Sequence, residues 1–485
     1  MTWARVLLPL AVLALAAGCS SSDSTFRDSS SSIPAPRVVR GLHVPARVVG
    51  EKLALATRSG FEPQFWPGVN LGSTVPGTLP GEVAARRADY DRWLPEIAAL
   101  GARVIRVYTI LAPDFYDALR AYDLAHPERP LYVLHGVWIP EEQFLASGNL
   151  YAPSVTHGFR EEIARAVAVV HGDATLPERP GHASGRYRSS IAPWLLGWSI
   201  GVEWDPAATA SSDHLNADAP AARGRFVRSL PRATPTERWL AGMLDYLAGL
   251  EAKRGWSRPV TFTNWITTDP LRHPTEPLEK EDLVSIDAMH LRATSAWPGG
   301  LFASYHAYPY YPDFLRYEPG LQRTRDAHGR PDPYAGYLAA LERHHHGQAV
   351  MITEFGVPSS LGLAHLGPLG RDQGDHSEQQ AARIDADLLR TIRRTGLAGG
   401  ILFEWADEWF KFTWNTTDYE LPSERRALWR NDLTNEEHFG VLATEPVRAR
   451  VTLDGEDREW ATNGSQVVAE SRGAVREVRV DHDEE

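Results

Sequence analysis

Eight short, nearly continuous apolar runs, separated by amphipathic stretches, constrain this chain more than any other feature. They are FWPGVNLG (66–73 region), ARVIRVYTI (102–110), LYVLHGVW (131–138) and LLGWSIGVEW (195–204), followed by VTFTNW (260–265), LFASYHAYP (301–309), AVMITEFG (349–356) and GGILFEWADEW (399–409). Runs that are apolar at almost every position suit strands covered on both faces, and their alternation with helical stretches marks a parallel α/β architecture. Eight such runs predict an α/β fold of the (β/α)8, or TIM-barrel, type with long insertions in its βα-loops. The length of 485 residues fits, because such barrels absorb insertions beyond about 400 residues.

The intervening helices carry their own signals. In Asp89–Leu100, Trp93, Ile97 and Leu100 share one face, and Gly101 is placed to cap the C-terminus. Thr234-Pro235 opens a helix with a broad apolar stripe, and Ser377 with Gln380 forms a capping box ahead of Ile384, Leu388 and Ile392. Two stretches fit less readily. Residues 205–233 read as a long polar loop, of the kind that is usually functional. Residues 266–300 are a Pro-rich excursion whose run LVSIDAM competes for the sixth strand; LFASYHAYP is preferred because its polar residues fall at the C-terminal end, where barrel chemistry sits.

The ends of the chain have a different character. Arg5, the apolar run VLLPLAVLALAA and the sequence AAGC resemble a bacterial lipoprotein signal, in which Cys19 is lipidated and becomes the mature N-terminus. A plain secretory signal with an incidental cysteine is the simpler alternative. Cys19 is the single cysteine, so the chain forms no internal disulfide. The domain order expected is a signal peptide at 1–18, a Ser-rich tether at 19–37, the barrel at 38–445 and a small β-rich or partly disordered tail at 446–485. The resemblance implies export and a lipid anchor in the cell envelope, with no other membrane contact. A formal charge of −12, from 50 Lys and Arg against 62 Asp and Glu, argues against nucleic acid as a partner.

The strongest chemical signal is a pair of carboxylates. Glu203 ends LLGWSIGVEW and Glu354 ends AVMITEFG, so both fall where barrel strands open into the mouth. An ionisable group closing an apolar strand is costly without a partner or a task. Two carboxylates facing one cleft in different surroundings can supply the acid and the nucleophile for glycosidic cleavage.

With these residues in place the chain resembles the large superfamily of retaining (β/α)8 glycosidases, glycoside hydrolase clan A, over roughly Gly60–Glu445. The resemblance implies no cofactor, a carbohydrate substrate with a β-type linkage, Glu354 as nucleophile and Glu203 as acid/base. Arg106 in VIRVY matches the arginine that keeps the nucleophile ionised. Tyr308 or His306 matches the sixth-strand residues that hydrogen-bond it, His135 a third-strand histidine, and Trp405 the tryptophan under the sugar ring. Trp198 and Trp204 would give Glu203 the aromatic setting of a general acid. Trp265, Trp405, Trp409 and the tyrosines of 305–311 are the expected stacking platforms. Glu404, Asp407 and Glu408 crowd the end of the eighth strand, either gripping sugar hydroxyls or standing in as proton donor. One departure is specific: Val202 occupies the position where the family carries an Asn for the sugar 2-hydroxyl, and Asn264 and Asn70 are the candidate replacements.

Val202 also supports a rival class, a surface glycan-binding barrel that does not cut. A metal-dependent barrel hydrolase ranks third, because only His135 and His306 sit plausibly for it. The triplet His344–His346 ends a helix, where consecutive side chains point apart, so no metal site is expected there.

Overall fold

All eight apolar runs become strands of one parallel sheet: β1 (Trp66–Leu71), β2 (Val104–Val107), β3 (Tyr132–Val137), β4 (Leu195–Ile200), β5 (Val260–Phe262), β6 (Ala303–His306), β7 (Val350–Phe355) and β8 (Gly399–Leu402). Their spatial order is β5-β4-β3-β2-β1-β8-β7-β6. The ring closes between β5 and β6, where Val260 N–H donates to Gly300, Phe302 N–H to Val260 and His306 N–H to Asn264 (3.1, 3.2 and 2.8 Å). This is a (β/α)8 barrel, with two further strands, Gln466–Glu470 and Glu477–Val480, paired antiparallel near the C-terminus. The computed structural model describes residues 34–419, 433–442, 460, 466–470 and 477–480. The signal-like segment, Cys19 and most of the Ser-rich stretch lie outside them.

Side chains in a strand alternate between its two faces, and the buried residues divide accordingly. Trp66, Val104, Leu134, Leu196, Met351 and Ile401 form one apolar cluster inside the ring. Their neighbours Ile105, Val133 and Ile352 belong to a larger cluster shared with the surrounding helices. An N-terminal meander (Ala46–Val49, Lys52–Ala56, Phe61–Gln64) adds Ala46, Leu53 and Leu55 to the inner cluster, and the Leu53 carbonyl accepts from Trp66 Nε1 at 3.1 Å. The meander thus floors the barrel and leaves the opposite end, at the strand C-termini, as its mouth.

The capped helices form as their signals indicate. Thr234 opens Pro235–Lys253 in a capping box with Glu237, and Ser377 opens Glu378–Arg394 with Gln380. Arg87–Leu100 buries Trp93 and Ile97 and ends at Gly101 in the left-handed region, but Leu100 is exposed, since it falls on the solvent side of the last turn. Residues 205–233 are more ordered than a loop: Asp205 caps a helix, Pro206–Leu215, and Val227–Ser229 pairs antiparallel with Leu291–Ala293. That pairing partner lies in the excursion between β5 and β6, which otherwise holds 3-10 turns and no α-helix. The run 283–289 forms no strand.

Candidate active site

At the mouth lies a cavity of about 1470 Å3, lined by residues that follow most of the eight strands. Glu354 lines it and is almost wholly buried. Its Oε1 accepts from Arg106 Nη1 (2.8 Å) and Tyr108 Oη (3.0 Å), and its Oε2 accepts from Tyr308 Oη (2.8 Å). His306 Nδ1 is 3.3 Å from the same Oε2 and 2.7 Å from Glu203 Oε1, so one imidazole nitrogen bridges the two carboxylates.

The backbone explains how these groups meet. β1 and β2 pair Asn70 with Arg106, and Arg106 Nη1 also donates to Asn70 Oδ1 (2.9 Å), which fixes the guanidinium beneath Glu354. Asn70 is itself held by donating to the carbonyls of Thr353 and Leu402. A register irregularity between β6 and β7 sets Glu354 opposite His306, where strict alternation would have turned it away from the interior face. After β4 the chain bends at Gly201, whose φ is +99° and where a Cβ would lie 2.5 Å from the Trp204 ring. The bend tucks Trp204 under the wall, Nε1 donating to the Thr263 carbonyl at 2.7 Å, and leaves Glu203 in the cavity.

The electrostatics of the two acids differ. Burial alone would raise Glu354, but His306 and Arg106 outweigh it and hold the carboxyl below the ordinary carboxylate range. Burial, with Glu354 adding to it, raises Tyr108 and Tyr308, so both stay protonated as donors. Arg106 also lies 4.5 Å over the Tyr108 ring. The Glu203 side chain is 39% exposed and faces solvent on one side. The expected aromatic enclosure is absent: Trp198 is buried in the outer layer, donating to Glu251, and Trp204 is turned away.

The other expected residues divide sharply. Trp265, Tyr308, Tyr310, Tyr311, His306 and Glu408 line the cavity. His135 does not. It sits between the inward residues Leu134 and Gly136, so it points outward, bonded to Tyr116 Oη (2.8 Å) and the Gly136 carbonyl (2.7 Å), and burial lowers its pKa to about 4. Tyr305 bonds His345 in the outer layer. Asn264 is consumed by its own turn, donating to Ile286 and accepting from Thr268 and Trp265, so neither it nor Asn70 offers an amide to a substrate. Trp405, Trp409 and Glu404 lie behind the wall; Phe403 faces the cavity instead. Burial, reinforced by Glu408, raises Glu404 well above the ordinary carboxylate value.

Three lining residues escaped the sequence reading although alternation points to them. Tyr108 stands two residues beyond Arg106, Trp138 four beyond Leu134, and Phe403 two beyond Ile401, all on the inward parity. Among the described residues two groups place metal-type donor atoms within 4.8 Å of one another: Glu203, His306 and Glu354, and Asp287, His344 and His345. Both are already hydrogen-bonded internally. In the second group His344 bonds Asp287 (3.0 Å), while Tyr305 Oη and Gln348 Oε1 occupy both nitrogens of His345.

No protein-family model matches the sequence, and no curated protein matches it. Similar solved structures include an endo-laminarinase from Formosa Hel1_33_131 (15% identity over 77% of this chain and 82% of that one, TM-score 0.45). An endocellulase from Pyrococcus horikoshii, solved as an E342A–cellotetraose complex, shares 14% identity over 76% and 92% (TM-score 0.40). Bacteroides uniformis beta-glucuronidase 2 shares 11% over 74% of this chain (TM-score 0.42), and this chain spans about a third of its length (32%).

Proposed function

We propose that this protein is a retaining glycoside hydrolase or transglycosidase acting on a β-linked poly- or oligosaccharide. The observation that carries the reading is the bridge at His306: two carboxylates from β4 and β7 flank one nitrogen, with oxygens of Glu203 and Glu354 within 4.8 Å of each other. Retaining glycosidases hold their two carboxyl groups about 5–5.5 Å apart, whereas inverting enzymes leave about 6.5–9.5 Å for a water. The unequal surroundings support a division of roles. Glu354, ionised by His306 and Arg106 and aimed by two tyrosines, attacks the anomeric carbon. Glu203, open to solvent exchange, gives its proton to the departing glycosidic oxygen. The covalent glycosyl–Glu354 ester then meets water or a second sugar hydroxyl, from which Glu203 takes the proton, so the protein ends both steps unchanged.

A 2-deoxy-2-fluoro glycosyl fluoride tests this directly. Mass spectrometry of peptides should find one sugar on Glu354 in the native chain and none in Glu354→Gln. A chain that binds glycan yet never takes the label is the non-catalytic binder that Val202 suggests. The N-terminal reading is proposed alongside: Cys19 carries lipid and anchors the enzyme to the cell envelope. Cys19→Ser should then release activity into the soluble fraction, and an unchanged membrane fraction would reject the anchor.

A further inference from the structure

We propose that the cleft binds an uncharged β-glycan chain laid across the whole mouth, with Trp138 and Trp414 as its two end platforms; the inference rests on the glycosidase reading above. In an eight-strand ring β3 and β7 stand opposite one another. Trp138 follows β3. Trp414 packs against His365, which follows β7, with ring centroids 6.0 Å apart. Both tryptophans line the cavity, and both keep unusual exposure for so large an apolar ring, 39% and 70%. An exposed indole at a cleft rim has apolar surface to bury, and the C–H face of a pyranose fits it. Trp265 and Tyr311, 6.3 Å apart, stand on the rim after β5 and β6. Glu203 follows β4 and Glu354 ends β7, so both acids fall within the span from β3 to β7 and a chain laid across it would be cut internally. The volume, about 1470 Å3, exceeds the roughly 300–1,000 Å3 that suits one small molecule.

Charge points to the chemistry of that chain. The described lining includes five Lys or Arg against eight Asp or Glu. Arg106 is held by Glu354 at 2.8 Å and Lys411 by Glu408 at 2.7 Å. Burial opposes the Lys411 charge, but Glu408 and Glu436 outweigh it and hold the ammonium up. Arg179, Lys280 and Arg316 each lie 3.4–3.9 Å from a carboxylate, the one beside Arg179 being shared with Arg165. Arg106 and Lys411 are thus each paired with a carboxylate, and the excess of carboxylates across the described lining repels a uronate or sulfate.

Calorimetry on full-length Glu354→Gln would measure binding without turnover. The probes are β-1,4- and β-1,3-linked glucohexaose, β-1,4-mannohexaose and a hexamer of β-1,4-linked mannuronic acid. At least one neutral hexamer should bind, with Kd rising about tenfold in Trp138→Ala and again in Trp414→Ala, while an aryl monosaccharide loses less than about twofold. The uronate hexamer should bind at least tenfold more weakly. Equal binding of the uronate, or tryptophan variants that leave every hexamer unaffected, would overturn the proposal, as would failure of all neutral hexamers to bind. Binding that behaves as expected in a chain that never takes the fluorosugar label would instead strike the catalytic reading alone.

Discussion

Among the described residues the barrel contains two buried arginine–glutamate pairs at almost the same N–O distance, and they do different things. At the mouth Arg106 meets Glu354 at 2.8 Å; near the floor Arg258 meets Glu251 at 2.9 Å, both side chains wholly enclosed. In each, burial opposes the carboxylate and the guanidinium helps to pull its pKa below the ordinary value. The surroundings differ. Trp198 Nε1 and His171 Nε2 close over Glu251 Oε1, and Arg258 donates its other nitrogen to the Ala192 carbonyl. Glu354 lines a cavity beside a second carboxylate. A buried ion pair is thus no mark of catalysis in itself; access to the paired acid and the company it keeps make the distinction.

Substituting the two acids should separate these roles most sharply. Glu354→Gln is expected to reduce kcat by about 10⁴-fold or more, with a smaller loss of Tm than Glu251→Gln causes. Glu251→Gln should leave an Arg charge unpaired and destabilise the fold by about 3–5 kcal/mol, read by denaturant titration. Because Glu251 is depressed in the folded state, its stabilisation is full above the unfolded carboxylate value of about 4.3 and is lost as pH falls through the lower folded value. The stability of the wild type should therefore fall in acid more steeply than that of Glu251→Gln. If Glu251→Gln instead lost activity while keeping its stability, the contrast between floor and mouth would collapse.

Glu203→Gln comes next, with an expected loss of about 10²–10⁴-fold on natural linkages and far less on aryl glycosides whose leaving group needs no proton. Equal losses on both would remove Glu203 from the acid role. Arg106→Met sharpens the electrostatic half of the comparison. Without the guanidinium the acid limb of kcat/KM should move to higher pH, by about 1–3 units, as Glu354 rises toward and past its ordinary value; an unmoved limb would assign Arg106 to packing. The smallest contrast is local. Tyr108→Phe removes a hydrogen bond to a charged oxygen and should cost about tenfold or somewhat more in kcat, whereas Glu404→Gln swaps a buried carboxyl outside the cavity for its amide and should stay within about twofold.

How far the site could be read beforehand depended on backbone regularity. Arg106 lies within a regular strand, so its inward parity follows from Val104, and the same count finds Tyr108. Applied to β3, it sends His135 outward to Tyr116 and Trp138 into the cleft. The resemblance to a histidine-bearing third strand obscured that count. On β8 the inward series Ile401, Phe403 leaves Glu404 behind the wall, where burial favours the uncharged carboxylic acid. Glu354 is the opposite case, since its orientation depends on an irregularity that no periodicity reveals.

The amino-acid order by itself determined eight strands, the helix caps at Thr234 and Ser377, and the presence of a carboxylate just beyond β4 and another near the end of β7. These rest on propensities, caps and periodicities that act within a few residues of each other. Tertiary structure alone decided that Glu354 receives an arginine 248 positions away, and that Glu203 and Glu354 share the His306 nitrogen. Such meetings depend on pairing register and ring closure, which are settled by packing energy summed over the whole barrel and leave no trace in any single stretch of chain.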